Sequence, residues 1–269
     1  MNTAKIIAVT KPLLHNGGTI IYDESGTEIG YGDPQYVTVD EFIAYVARVS
    51  NPSNQNNTLT APKLLKYLAK HKHWSPFEMV NVVMEINTTR DIGRQILRHR
   101  SFSFQEFSQR YADPTKDMGF VTREARLQDT KNRQNSVEIS DDVTYDSPMY
   151  ERHYDPENCI TKESVTYEKR NLKETWNAYQ KNTTDAATAA YNWAIEHGIA
   201  KEQARAVLPE GLILSRMYMA GSLRSWIHYC QVRTDASTQK EHREIAMQAW
   251  DQITDAFPSL KEVLASVDI

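Results

Sequence analysis

Between Arg90 and Arg110 the sequence reads RDIGRQILRHRSFSFQEFSQR and holds five of the chain's sixteen arginines, with only Asp91 and Glu106 as acids. A guanidinium is a planar, permanently charged fork that matches phosphate and carboxylate oxygens. Ser108, Gln109 and Arg110 then place a hydroxyl, an amide and a further guanidinium in succession, the composition of a phosphate clamp. A second cationic group, Arg205, Arg216, Arg224, His228 and Arg233, lies in the last third of the chain. Arg224 and His228 are four residues apart and share one face of a helix. The plainer alternatives are a solvated helix face for the first group and a hydrogen-bonded core histidine for His228.

Several kinds of chemistry lack their residues. No Gly-x-Gly-x-x-Gly follows a strand, and there is no Gly-Lys-Ser/Thr loop and no His-Glu-x-x-His. His71-Lys72-His73 has no acid or cysteine beside it in metal-ligand spacing, so no metal is expected. Ser108 lacks the Gly-x-Ser-x-Gly elbow, and Cys159 and Cys230 lack an adjacent histidine. Without a protein nucleophile, a bound cofactor has to carry any difficult step.

The elements that must position these residues read as mixed α and β. Lys5–Thr10 and Thr19–Tyr22 are β-branched runs, and the Glu24-Ser25-Gly26-Thr27 turn before Ile29 predicts a hairpin. Thr38-Val39-Asp40-Glu41 is a capping-box pattern opening one helix, and Pro62 sits in the first turn of the next. Val80, Val82, Met84 and Ile86 alternate with Asn81, Val83, Glu85 and Asn87, as in a half-buried strand, and a helix over roughly Thr89–Arg98 follows. Asp113–Arg170 is polar and turn-rich, an insertion on the fold whose short strands have no clear places. The remainder reads as helices: one from Leu172 to Gly198, a second over Lys201–Leu208 stopped by Pro209, a third over Leu212–Gln231, and a fourth opened by Thr238-Gln239-Lys240-Glu241. The expected class is α+β, an antiparallel sheet flanked by long helices with a helix-rich C-terminal half. It forms one domain over 1–269, with the insertion at about 113–170.

Composition narrows the function. The chain has 269 residues, 40% of them hydrophobic and 25% charged, and a net charge of −4, which disfavours a general nucleic-acid coat or a polybasic membrane surface. No apolar run reaches the length of a membrane span. Two distant cysteines exclude a disulfide framework, and no signal-peptide core develops, so a cytoplasmic protein is expected. Two other readings stand beside an enzyme. One is a nucleotide- or RNA-binding protein using Phe102, Phe104 and Phe107 as stacking surfaces. The other is a helical assembly protein whose arginines bridge subunits.

Arg98-His99-Arg100, seven residues and then Ser108 resembles the RHR-x7-S signature of the flavin-dependent thymidylate synthases. Ala47-Arg48-Val49-Ser50, His73-Trp74-Ser75-Pro76-Phe77-Glu78, Gln95, Ala204-Arg205-Ala206-Val207-Leu208-Pro209 and Leu223-Arg224-Ser225-Trp226-Ile227-His228 with Arg233 are similar to further blocks of that family, in order. The resemblance implies reductive methylation of dUMP to dTMP, with methylenetetrahydrofolate as one-carbon donor, FAD as cofactor and NADPH as reductant. It implies that Arg233 activates the uracil ring, and that Ser50, His73, Arg98, His99, Arg100, Glu106, Ser222, Arg224 and His228 line an FAD site. Gln95, Arg98, Glu106, Phe107, Ser108, Gln109, Arg110, Arg205 and Arg233 would hold dUMP, with Ser108 and Arg110 nearest its phosphate. It further implies a homotetramer whose FAD sites are shared between subunits. Gln105 and Gln109 stand where the family commonly has Asn and Gly, Ser222 where it has Asn, and Met79 where it has His.

Overall fold

The computed structural model describes residues 2–15, 20–31, 37–258, 260 and 261. Along the chain run strands β1 (Thr3–Val9), β2 (Ile20–Tyr22) and β3 (Glu28–Tyr31), then helices α1 (Val39–Ala47) and α2 (Ala61–Lys70). Strand β4 (Asn81–Thr89), helix α3 (Arg90–Ile96), strand β5 (Ser103–Glu106) and the single turn α4 (Pro114–Asp117) follow. Next come β6 (Arg126–Gln128), β7 (Ser136–Glu138), β8 (Thr144–Asp155) and β9 (Ile160–Asn171). The chain ends with α5 (Leu172–Glu196), α6 (Lys201–Ala204), β10 (Leu214–Ser222), α7 (Leu223–Arg233) and α8 (Lys240–Ala256). The class is α+β, as expected. Two compact units result, Met1–Phe107 with Ser215–Ile269, and Ser108–Leu214.

In the first unit four strands form a sheet in the order β1-β4-β10-β5. The alternation read in β4 is real: Val82, Met84 and Ile86 are fully buried while Asn81, Val83, Glu85 and Asn87 are not. Strand β1 pairs antiparallel with β4, and α8 lies along it. Gln248 and Gln252 of α8 accept from the backbone N–H groups of Ala4 and Ile6, at 3.0 and 3.3 Å. These side chains satisfy donors on an edge strand that would otherwise invite a foreign strand. The core runs from Ile43 and Leu65 through β4 and β10 to Trp226, Ile227, Ile245 and Ile253. Trp226 Nε1 donates to the Val82 carbonyl at 3.1 Å, which pins α7 to the sheet.

Local signals explain most of these elements. Thr38 and Glu41 form the expected reciprocal capping box of α1. Arg48, just after that helix, is buried and donates to the Asn57 carbonyl and to Thr60 Oγ1, so it fastens the 51–60 loop. The predicted hairpin corresponds to β2 and β3, which pair antiparallel; Thr19 lies outside the described residues.

Two expectations are corrected. Leu212–Gln231 is not one helix: its first part is strand β10, pairing antiparallel with β5. Ser215, Met217 and Met219 are buried while Arg216 and Tyr218 face outward, a period of two that the mixed residue types disguise. Gly221 and Ser222 end the strand, and Ser222 Oγ caps α7 by accepting from the Ser225 N–H. The second capping box does not form either. Gln239 occupies the N-cap of α8, and the Thr238 hydroxyl turns back to the Val232 carbonyl.

The second unit holds the polar 113–170 stretch, which forms two antiparallel hairpins, β6 with β7 and the long β8 with β9. Its core is small, Tyr191, Ala194, Ala204, Leu208 and Ile213, with Phe120 packed on it. Gln180 of α5 accepts from the Arg123 N–H at 2.6 Å and donates to the Arg123 carbonyl at 2.9 Å, tying that segment to the helix.

Candidate active site

Helix α3 ends at Ile96, and Arg98-His99-Arg100 lie in the turn between it and β5. Arg98 and Arg100 are exposed, whereas His99 turns inward against Tyr229, Phe102 and His242, with ring centroids 4.9, 6.5 and 6.2 Å away. Phe102 reaches this position by packing on Gly221, where a Cβ would sit 2.4 Å from its ring. Burial and the neighbouring charges of Arg233, His228 and Arg98 push the His99 pKa down to about 4. The imidazole is therefore neutral at pH 7, and its Nε2 accepts a hydrogen bond from Arg233 Nε at 2.9 Å. Arg233, at the end of α7, is thus oriented through Nε, and its two terminal amino groups have no hydrogen-bond partner among the described residues.

A cleft of about 400 Å³ is lined by Trp74, Glu78, Ser101, Arg224, Ile227 and His228 among others. Arg224 and His228 share one face of α7, as their spacing requires. Glu78 accepts from Ser222 Oγ and from Arg224 Nη1, the latter at 2.6 Å. The Ser222 hydroxyl first, then the Arg224 hydrogen bond and charge, hold the Glu78 carboxyl below its ordinary range despite partial burial. The Ser222 hydroxyl joins Glu78 to the cap of α7.

Glu106 gathers Arg90 and Arg94 at 3.5 and 3.7 Å and accepts from Ser215 Oγ at 3.0 Å. Arg94 and Arg90 are thereby engaged with a carboxylate and not simply solvated. Phe107 donates its N–H to the Arg216 carbonyl at 2.8 Å, continuing the β5–β10 ladder. Gln95 is half-buried and hydrogen-bonds His242 and Gln239. Ser50 and His73 are exposed and lie outside the lining of the cleft, although Trp74, next to His73, forms one of its walls.

The remaining predicted residues belong to the second unit. Ser108 Oγ accepts from the Arg110 N–H at 3.4 Å, Gln109 is buried, and Arg110 pairs with Glu202 at 3.4 Å on the surface. Arg205 is half-buried at the end of α6. Sequence reasoning did not single out Tyr229, Gln239 or His242, which surround Gln95 and His99. Glu78 and Trp74 were quoted only as part of a block. His242 carried one signal, a histidine at an otherwise apolar position of the α8 pattern.

The sequence profile of the thymidylate synthase complementing protein family matches residues 35–259. The chain belongs to that family. A probable flavin-dependent thymidylate synthase of Paramecium bursaria Chlorella virus 1 is 38% identical over 264 residues, covering 97% of this chain and 98% of the viral one. A flavin-dependent thymidylate synthase of Synechocystis is 42% identical over 232 residues, 86% of this chain and 92% of its own. Among solved structures, a UMP/dUMP methylase from Streptomyces cacaoi bound with 5-Br dUMP superposes with a TM-score of 0.67 at 19% identity. That match covers 100% of this chain and 96% of the other, and it bears on the fold alone. The protein is an enzyme of this family. Among the described residues no helix is long and apolar enough to cross a membrane, and no group of His, Cys, Asp and Glu could hold a metal ion.

Proposed function

We propose that this enzyme forms dTMP from dUMP, with methylenetetrahydrofolate as one-carbon donor, FAD as cofactor and NADPH as reductant. The observation that carries the reading is the Arg233–His99 pair. An arginine anchored through Nε to a neutral acceptor presents its outer fork in a fixed direction, which suits a charge that develops on a bound ring during reaction. Arg233 would bind uracil oxygens and hold the ring in its ionised, more nucleophilic form. His99, as an acceptor, orients Arg233 and moves no proton itself.

The cleft has the donor set an isoalloxazine and its anionic tail require. Trp74 and Ile227 give apolar walls, Ser101 and Gln231 polar edges, and Arg224 and His228 donors for an anion. A volume of about 400 Å³ takes part of a dinucleotide, so Ser50, His73, Arg98, Arg100, Glu106 and Ser222 would contact FAD outside that cleft, on the same subunit or a neighbour. Bound there, FAD supplies hydride transfer and carriage of the one-carbon unit, which is why no protein nucleophile is needed. Gln95, Arg98, Glu106 and Phe107 of the first unit are assigned to dUMP in the same reading. So are Ser108, Gln109, Arg110 and Arg205 of the second, with Ser108 and Arg110 at the phosphate. A cytoplasmic homotetramer with FAD sites built from several subunits completes the proposal.

The test is the visible absorption spectrum of the purified protein after FAD is added and the excess removed by gel filtration. An oxidised-flavin band retained at about one per chain supports the reading. A colourless protein that retains no added FAD refutes it.

A further inference from the structure

Gln95 of the first unit belongs to a polar cluster whose other members, Tyr229, Gln239, Glu241 and His242, have no assigned role. His242 of α8 is fully buried between α7 and α3. Its Nε2 lies 3.1 Å from Tyr229 Oη, and its Nδ1 lies 3.3 Å from Gln95 Oε1. Gln95 Nε2 donates to Gln239 Oε1 at 2.8 Å, and Gln239 Nε2 donates to Glu241 Oε2 at 3.0 Å. An amide oxygen only accepts, so Nδ1 of His242 carries the proton and Nε2 accepts from the Tyr229 hydroxyl. Every bond in the series then points one way, from Tyr229 through His242, Gln95 and Gln239 to the Glu241 carboxylate.

That arrangement uses a neutral imidazole. Burial first, then the nearby Arg233 charge, pushes the His242 pKa down to about 3, which agrees with it. The consequence falls on Gln95. Rotating its amide by half a turn would set an NH₂ against the His242 Nδ1–H and an oxygen against Gln239 Oε1, two repulsive contacts in place of two hydrogen bonds. Gln95 is therefore held with its oxygen toward His242, and its second Nε2 hydrogen has no partner among the described residues.

We infer that His242 is a positioning residue that locks Gln95 as a hydrogen-bond donor toward an oxygen of the bound nucleotide. The inference rests on the reading that Gln95 contacts dUMP. It predicts selection for an acceptor at that point, since the orientation offers N–H and withholds C=O.

The experiment is the dissociation constant of dUMP for the FAD-loaded enzyme, with flavin retention and thermal midpoint recorded beside it. His242→Leu should weaken dUMP about tenfold with flavin retention unchanged, and His242→Asn, whose Nδ2 can replace the ring donor, should recover to within about threefold. In the Gln95→Ala background, His242→Leu should add nothing, because the group it orients is gone. Equal losses in both backgrounds would make His242 merely structural and overturn the inference, leaving the Gln95 contact standing. No weakening by Gln95→Ala alone would remove the contact itself, and the inference with it. Should His242→Leu not fold, Tyr229→Phe, which removes the hydroxyl donating to Nε2, runs through the same cycle with the same criteria.

Discussion

Arg233 Nε donates to His99 Nε2 at 2.9 Å, and only an unprotonated imidazole nitrogen can accept that bond. Two distant positions of the sequence meet here: the middle residue of the Arg-His-Arg triplet and the last residue of α7. A lysine in place of Arg233 could not hold His99 and also present a planar fork. Both Arg233→Ala and Arg233→Lys should lower kcat/KM for dUMP by at least about a hundredfold, while unfolding free energy falls by only about 1 kcal/mol. Steady-state kinetics with urea unfolding checks both. Near-normal activity of Arg233→Lys would contradict the role given to the fork.

The same pair sets a pH dependence. His99 and His242 have folded pKa values of about 4 and about 3, against 6.5 for the free side chain. The unfolded chain therefore binds protons that the folded chain refuses. Their stabilising contribution is complete above the unfolded value and is lost as pH falls from 6.5 toward the folded values, with no further loss below them. The urea midpoint should be lower at about pH 5.5 than at about pH 7.5, a window above most carboxylate titration, and His242→Asn should narrow the difference. A midpoint that rises on acidification would contradict the neutral state of both rings.

Two glycines allow a packing contrast. A Cβ on Gly221 would meet the Phe102 ring at 2.4 Å, whereas one on Gly93 would meet the Met217 Cε at 2.9 Å, the free end of a flexible side chain. Gly221→Ala should cost about 2 kcal/mol or more and displace Phe102 from His99, and Gly93→Ala less than about 1 kcal/mol. Chemical denaturation of the two variants decides, and equal costs would show that Phe102 yields as readily as a methionine.

Much of this architecture could be read from residues alone, and the losses have identifiable causes. The β4 alternation, the Thr38 box and the helix closing at Gly198 are local signals, and each appears where its chemistry requires. Strand β10 was hidden because Leu214, Met217, Tyr218 and Met219 suit either period, and only its place in the sheet between β4 and β5 selects one. Thr238 does not cap α8 because the helix starts one residue later, with Gln239 at the N-cap, while the Thr238 hydroxyl donates to the Val232 carbonyl. At the site, the charged residues of the motifs could be named in advance. Their orientation could not, since Gln95 on α3 lies far in sequence from Tyr229 on α7 and His242 on α8.

The cap of α7 is coupled to the cleft through Glu78. Ser222 Oγ donates to Glu78 and accepts from the Ser225 N–H, so losing either partner disturbs one shared arrangement. Ser222→Ala and Glu78→Ala should each cost about 1 kcal/mol, and the double variant should cost less than their sum by at least about 0.5 kcal/mol. The Glu78–Arg224 pair adds little to this, because both side chains are partly in water. Additive losses in a thermal or urea double-mutant cycle would separate the cap from the cleft.

The most direct measurement is product formation. Purified enzyme loaded with FAD is incubated with dUMP, methylenetetrahydrofolate and NADPH, and dTMP is quantified by chromatography alongside NADPH consumed, with Arg233→Ala as the control. The account predicts dTMP in step with NADPH oxidation, dependent on dUMP and lost in the variant. An enzyme that retains flavin, consumes NADPH and yields no dTMP would contradict it.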